Sequence, residues 1–220
     1  RHHELIRHLC IKAQSTYMPT RNNDCRIRNL RRTPSILIIP GFSLNYTDCQ
    51  TLTLVILNNT LNRLETLIMD DNHIGDIGLL ALIHAWNPTD VPTGALYTRA
   101  PLLAELSINK NHITDLGLTA IMEAKTKGTL PALTDLHLTH NLITTDGLQT
   151  LKNMQQVPST KPMHRLQLDD NLLYDQGMIS LGEIGTLQSL IDIKALTLSN
   201  NDIGEYGITH FANSLTLGAF

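Results

Sequence analysis

Histidine and aspartate are the residues here whose types suggest chemistry. Ten histidines are spread over 220 residues. His137 and His140 share one short stretch, Asp135 precedes them, and His164 lies in the corresponding place of the next similar stretch. Neutral imidazole and carboxylate together are zinc ligands. Yet His73, His112 and His140 each flank an Asn at a turn, where a polar side chain is simply solvated, so no metal site is assigned. Asp70-Asp71-Asn72 and Asp169-Asp170-Asn171 begin like calcium loops but lack the Gly and Glu at EF-hand spacing. There is no P-loop, GxSxG or HExxH. A Ser/His/Asp set cannot be assembled from chain order. The expectation is no catalytic residue, no cofactor and no metal, hence no enzyme.

The elements that carry these residues repeat. "LETLIMDDNHIGDIGLLAL" at Leu64 returns as "LAELSINKNHITDLGLTAI" at Leu103, "LTDLHLTHNLITTDGLQTL" at Leu133, "MHRLQLDDNLLYDQGMISL" at Met163 and "IKALTLSNNDIGEYGITHF" at Ile193. An Asn recurs at Asn72, Asn111, Asn141, Asn171 and Asn201, and a Gly at Gly78, Gly117, Gly147, Gly177 and Gly207. The step is 30 residues, with one gap of 39. A weaker copy starts at Pro34, with Phe42 in the Asn place and Asp48 in the Gly place.

Each unit changes period partway. In the first part, Leu67 and Met69 alternate like one face of a short strand. After the Asn, Leu79, Leu82 and Ile83, or Ile179, Leu181 and Ile184, suit the apolar stripe of a helix. A lone unit cannot bury this stripe, so the units must stack. Stacking predicts parallel strands on an inner face and wider helices outside, which curves the stack. The Asn side chain, with two donors and an acceptor, is expected to satisfy backbone groups of its own coil and the next. The Gly is placed either where helices pack closest or where a turn needs positive φ. Thr114-Asp115, Thr144-Thr145-Asp146, Asp76, Asp175 and Glu205 are read as helix caps and first-turn acids.

The pattern LxxLxLxxNxIxxxGxxxL resembles the leucine-rich repeat, and its long period with the Gly resembles the ribonuclease-inhibitor-like subfamily. The resemblance implies an α/β horseshoe of about six repeats. They fall near 34–63, 64–102 (with a loop insertion at 84–101), 103–132, 133–162, 163–192 and 193–220, behind a partly helical, basic segment at 1–33.

Net charge is −3, but it is divided: residues 1–33 carry +6 and the remainder −9. Arg26, Arg28, Arg31 and Arg32 make the last part of that segment a basic arm. It suits an acidic protein surface, RNA phosphates, the solenoid's own acidic face, or plain solvent. Cys10, Cys25 and Cys49 are odd in number and loosely spaced, which fits a reducing compartment. No apolar run approaches the roughly 18 residues that cross a membrane, and no signal peptide is visible.

Two surfaces are candidates for a partner. The first is the inner face, at the x positions of LxLxx. Its candidates are Ile38, Ile68, Glu105, Asp135, His137, Arg165, Gln167 and Asp169, apolar at one end and polar at the other. No broad basic stripe lines it, which argues against general nucleic-acid binding there. The second is the insertion, with Trp86 and Tyr97. These are either aromatic anchors for a partner, or Trp86 ends the helix and packs inward. The expected function is a protein-interaction or scaffold module, as in a structural subunit of a large assembly such as an axoneme or organellar ribosome. The place would be intracellular, either cytoskeletal or organellar. The resemblance also brings in Ran-type GTPase-activating proteins and sensor-type repeat domains as alternatives.

Overall fold

The computed structural model describes residues 35–57, 61–87, 100–152, 160–186 and 192–216. The basic arm, Tyr97 and most of the insertion lie outside the described residues. Strand and helix alternate: β1 (Ile36–Ile38), α1 (Tyr46–Leu57), β2 (Thr66–Ile68), α2 (Gly75–Trp86), β3 (Glu105–Ser107), α3 (Asp115–Thr126), β4 (Asp135–His137), α4 (Thr145–Lys152), β5 (Arg165–Gln167), α5 (Tyr174–Thr186), β6 (Ala195–Thr197) and α6 (Glu205–Thr216). The strands form one parallel 6-stranded sheet in chain order. This is the expected α/β solenoid.

Register follows the repeat. Leu37, Leu67, Leu106, Leu136, Leu166 and Leu196 are aligned across the sheet. Through β5 these central leucines are buried while their strand neighbours are mostly half-buried or exposed. That is the two-residue alternation of a sheet with one face in the core. From the helices, Leu79, Leu82, Leu118, Ile121, Leu148 and Leu181 are fully buried. All belong to one core. At the end of the stack burial fades: among the described residues β6 pairs only with β5, and Ile208 on α6 is 57% exposed.

The backbone must leave the sheet in every coil, and it does so in the same way. The residue just before the ladder position is left-handed each time: Gly41 (φ 67°), Asp71 (55°), Lys110 (52°), His140 (55°), Asp170 (53°) and Asn200 (53°). Asp, Asn and His tolerate this conformation better than most residues. Positive φ is therefore supplied here and not at the repeating Gly, whose backbone is helical. The Gly answers to its other expected role. A Cβ on Gly117 would stand 2.5 Å from Asp76 Oδ1, and one on Gly207 would stand 2.6 Å from Asp175 Oδ1. Gly117, Gly147 and Gly207 make room for a carboxylate on the preceding helix, whereas Gly78 approaches Cys49 and Gly177 approaches Leu148 and Thr145.

The expected loop at 84–101 starts too early, because α2 runs through Trp86. Trp86 is only 1% exposed and belongs to the core. An indole at the end of an apolar helical stripe is better placed burying its surface than leaving it in water. As an aromatic anchor outside the solenoid, Trp86 is corrected to a core residue.

Candidate interaction surface

Two polar ladders hold the coils in register and so position everything on the inner face. The first is the asparagine ladder. Asn141, 5% exposed, donates from Nδ2 to the carbonyls of Ile108 (3.1 Å) and Leu138 (3.0 Å). Its Oδ1 accepts from the backbone of Asn111 (3.1 Å) and Ile113 (2.9 Å). Asn72 does the same toward the first coil, with Oδ1 accepting from Phe42 (3.0 Å) and Leu44 (2.9 Å). Asn111 and Asn171 likewise reach back, to the carbonyls of Met69 and Leu138. The coil served is thus the preceding one, not the next. An Asn bonded to its own strand end points its remaining valences back over the coil already laid down. Asn201 donates to Leu168 (2.7 Å) and Leu198 (3.0 Å), but its buried Oδ1 has no partner.

The second ladder runs along the helix starts. Asp76 accepts from Thr114 through its backbone N–H (2.9 Å) and hydroxyl (2.6 Å). Asp115 does so from Thr144, 2.7 Å in both cases. Asp175 takes the N–H of Gly204 at 2.7 Å. In the sequence these carboxylates read as first-turn acids of their own helices. They do lie in those first turns, and they also fasten the start of the following helix. Thr145 stands in the Asp place of its coil and donates instead to the Leu173 carbonyl at 2.8 Å. The missed signal was an Asp in one unit with a Thr or Gly one residue earlier in the next.

On this frame the inner-face side chains are bonded sideways from strand to strand. Thr66 donates to Glu105 (3.2 Å). His137 Nδ1 meets Gln167 Oε1 at 2.6 Å, and its Nε2 stands 3.4 Å from Glu105 Oε1. The latter is an ion-pair approach without hydrogen-bond geometry, since Nε2 has no hydrogen-bond partner. Arg165 Nη1 lies 3.4 Å from Asp135 Oδ1. Asp70 accepts from Ser107 Oγ (2.7 Å) and Asn109 N (2.9 Å). Asp169 accepts from the Thr197 hydroxyl and from Ser199 N (2.7 Å). Desolvation pushes the Asp169 carboxyl up, but these hydrogen bonds to its charged form outweigh it, and the net shift is downward.

Of the expected partner residues, Glu105, Asp135, His137, Arg165, Gln167 and Asp169 lie side by side on the sheet. Ile38 and Ile68 are half-buried at its first end, next to Ile36, which is 53% exposed. The face carries Ile36, Ile38 and Ile68 at its β1–β2 end, beside Thr66 and Asp70, and is mostly polar from β3 onward. Its charged side chains are Asp70, Glu105, Asp135 and Asp169 against Arg165 alone, so it is acidic.

Other titratable groups serve the scaffold. Cys49 is buried and free; burial, then the charge of Asp48, pushes its thiol up to about 12, which makes it a poor nucleophile. Lys125, 3% exposed, donates to the carbonyls of Leu133 and Lys161, each at 2.5 Å, tying α3 to the segments that lead into β4 and β5. Burial lowers its ammonium to about 8. Among the described residues no helix is long and apolar enough to cross a membrane.

Stacked strand–helix coils with an asparagine ladder and a graded inner face define a repeat solenoid of the protein-binding kind. The family model described as "Leucine Rich repeat" matches residues 57–82, 100–122 and 130–152, so three stretches of the chain are similar to that repeat, and the fold is that of a leucine-rich-repeat solenoid. No curated protein matches it. Among solved structures it is similar to leiomodin-1 actin-binding site 2, with a TM-score of 0.51 at 14% identity, over 74% of this chain and 85% of that one. It is also similar to the tropomodulin C-terminal domain of Caenorhabditis elegans, with a TM-score of 0.51 at 15% identity, over 77% of this chain and 92% of that one. At such identities the likeness concerns the fold.

Proposed function

We propose that this protein is a non-enzymatic interaction module that holds a protein partner on the inner face of its sheet, as a fixed subunit of a larger assembly. One observation carries the reading: the inner-face side chains are already ordered by their neighbours. The contacts of His137 with Gln167 and of Arg165 with Asp135 fix rotamers before any partner arrives. A partner then avoids part of the ordering cost, about 0.5–1.5 kcal/mol per long side chain. Ile36, Ile38 and Ile68 supply apolar area at one end, and the acidic remainder favours a partner with basic or hydrogen-bond-donating groups.

A cytoskeletal assembly is the first to test, since the two similar folds are an actin-binding site of leiomodin-1 and a tropomodulin domain; an axoneme or an organellar ribosome remains the broader class. The basic arm, with Arg26, Arg28, Arg31 and Arg32, would add a salt-sensitive contact to an acidic protein or to RNA. The test is quantitative affinity capture with wild type, with Ile38→Asp/Ile68→Asp, with Asp135→Lys/Asp169→Lys and with residues 1–33 deleted, each checked by thermal melting. A partner retained by wild type and lost from both inner-face variants at unchanged melting temperature supports the reading. Equal capture by all forms refutes the inner face as the site. Addition of the protein is expected to leave GTP hydrolysis by small GTPases unchanged.

A further inference from the structure

One histidine pair stands apart from the inner face. His73 and His112 each follow the ladder asparagine of their coil, and both are exposed. His73 Nδ1 lies 3.2 Å from His112 Nε2. The ring centroids are 5.4 Å apart and the planes differ by 12°. Ring nitrogens sit on the ring edge. So short a nitrogen gap under so long a centroid separation places the rings edge to edge near a common plane, not face to face. One nitrogen donates its proton into the lone pair of the other, with the tautomer assigned by that contact.

We propose that His73 and His112 form a two-ligand site for a divalent transition-metal ion such as Zn²⁺, with the remaining coordination positions open to water or to a partner's side chain. Two imidazole nitrogens on a tetrahedral zinc, each at roughly 2.0–2.1 Å, stand about 3.3 Å from one another. The pair is already at 3.2 Å. Its backbone is fixed: Asn72 and Asn111 are buried and bonded to the coil before them, and the turns are set by left-handed Asp71 (φ 55°) and His112 (φ 58°). Little ordering remains beyond a tilt of each exposed ring about Cβ–Cγ, which brings both lone pairs to one point. The bridging proton moves to the outward nitrogen of its own ring. Both imidazoles stay neutral, and the ion takes the two inner lone pairs. Ser43 and Leu142 hold the same place in the neighbouring coils, so the site is confined to this pair. Among the described residues no group of three or more such ligands converges, which is why the site has two protein ligands and open positions.

The experiment is a Zn²⁺ titration of the whole chain near neutral pH, by calorimetry or competition with a chromophoric chelator. The proteins are wild type, His73→Ala, His112→Ala, the double variant and His140→Ala. Wild type should bind one ion saturably. Each single variant should lose at least tenfold in affinity, the double variant should fall no further than either single, and His140→Ala should match wild type. Zn²⁺ should raise the melting temperature of wild type and His140→Ala only. Because both rings are exposed, the metal-free variants should melt like wild type, which separates a lost site from a lost fold. Absence of saturable binding to wild type, or binding of equal strength in the double variant, overturns the proposal; in the second case the ion sits on other histidines.

Discussion

Replacing Asn141 by Ala is expected to destabilise the protein by about 3 kcal/mol, and replacing Asn201 by about 1 kcal/mol. The magnitudes come from what each side chain leaves behind. Without the Asn141 amide, the N–H groups of Asn111 and Ile113 lose their acceptor, and the carbonyls of Ile108 and Leu138 lose a donor. All four lie in the interior of the stack. An unpaired buried donor costs about 1–3 kcal/mol, so two donors dominate the sum. Asn201 is as buried, but its Oδ1 accepts nothing. Its removal orphans no donor: the Leu198 carbonyl loses its bond, while the Leu168 carbonyl keeps the Asn171 amide. Asn141→Asp sharpens the comparison by keeping an acceptor while deleting the amide donors. The assay is urea unfolding of wild type and the three variants, followed by circular dichroism with slopes compared, because a solenoid can unfold coil by coil. Equal losses at 141 and 201, or a loss below about 0.5 kcal/mol at 141, would refute the argument that accepting from the preceding coil is what the ladder contributes.

Trp86→Ala should cost about 3–5 kcal/mol in the same unfolding assay, because it empties a core site, while a partner captured by the inner face should still bind the fraction that remains folded. Gly147→Ala should destabilise by about 1–2 kcal/mol despite the better helix propensity of Ala, since its Cβ would overlap the Asp115 carboxylate; the loss should shrink in an Asp115→Ala background, and a double-mutant cycle with no coupling would dismiss the clash. Lys125 gives a pH signature. Its folded value near 8 lies below the ordinary 10.5, so between these pH values the unfolded chain binds more protons and stability rises with pH. Lys125→Met lacks this titration, so wild type should gain on it from pH 8 to 10.5 in paired melts; parallel curves would remove the burial argument.

The sequence by itself determined the fold and most of its register. Apolar residues at spacing two and then three to four can be buried together only by strand–helix units that stack. A repeated Asn or Gly must answer to a constraint that recurs in every unit. That reasoning reached the sheet order, the core leucines and the inner-face residues from Glu105 to Asp169. The tertiary structure decided what depends on the neighbouring coil. Asn141 looks back to Ile108 and Ile113 because the strand direction and the left-handed His140 aim it there. Asp115 caps the following helix, and Gly147 is small because that carboxylate sits above it. Trp86 turns inward because α2 runs on to carry it into the core. The edge-to-edge approach of His73 and His112, 39 positions apart, arises only when two turns are stacked. Except for Trp86, the partner is about a whole repeat away along the chain, and local spacing carries no information about which atoms of two coils meet.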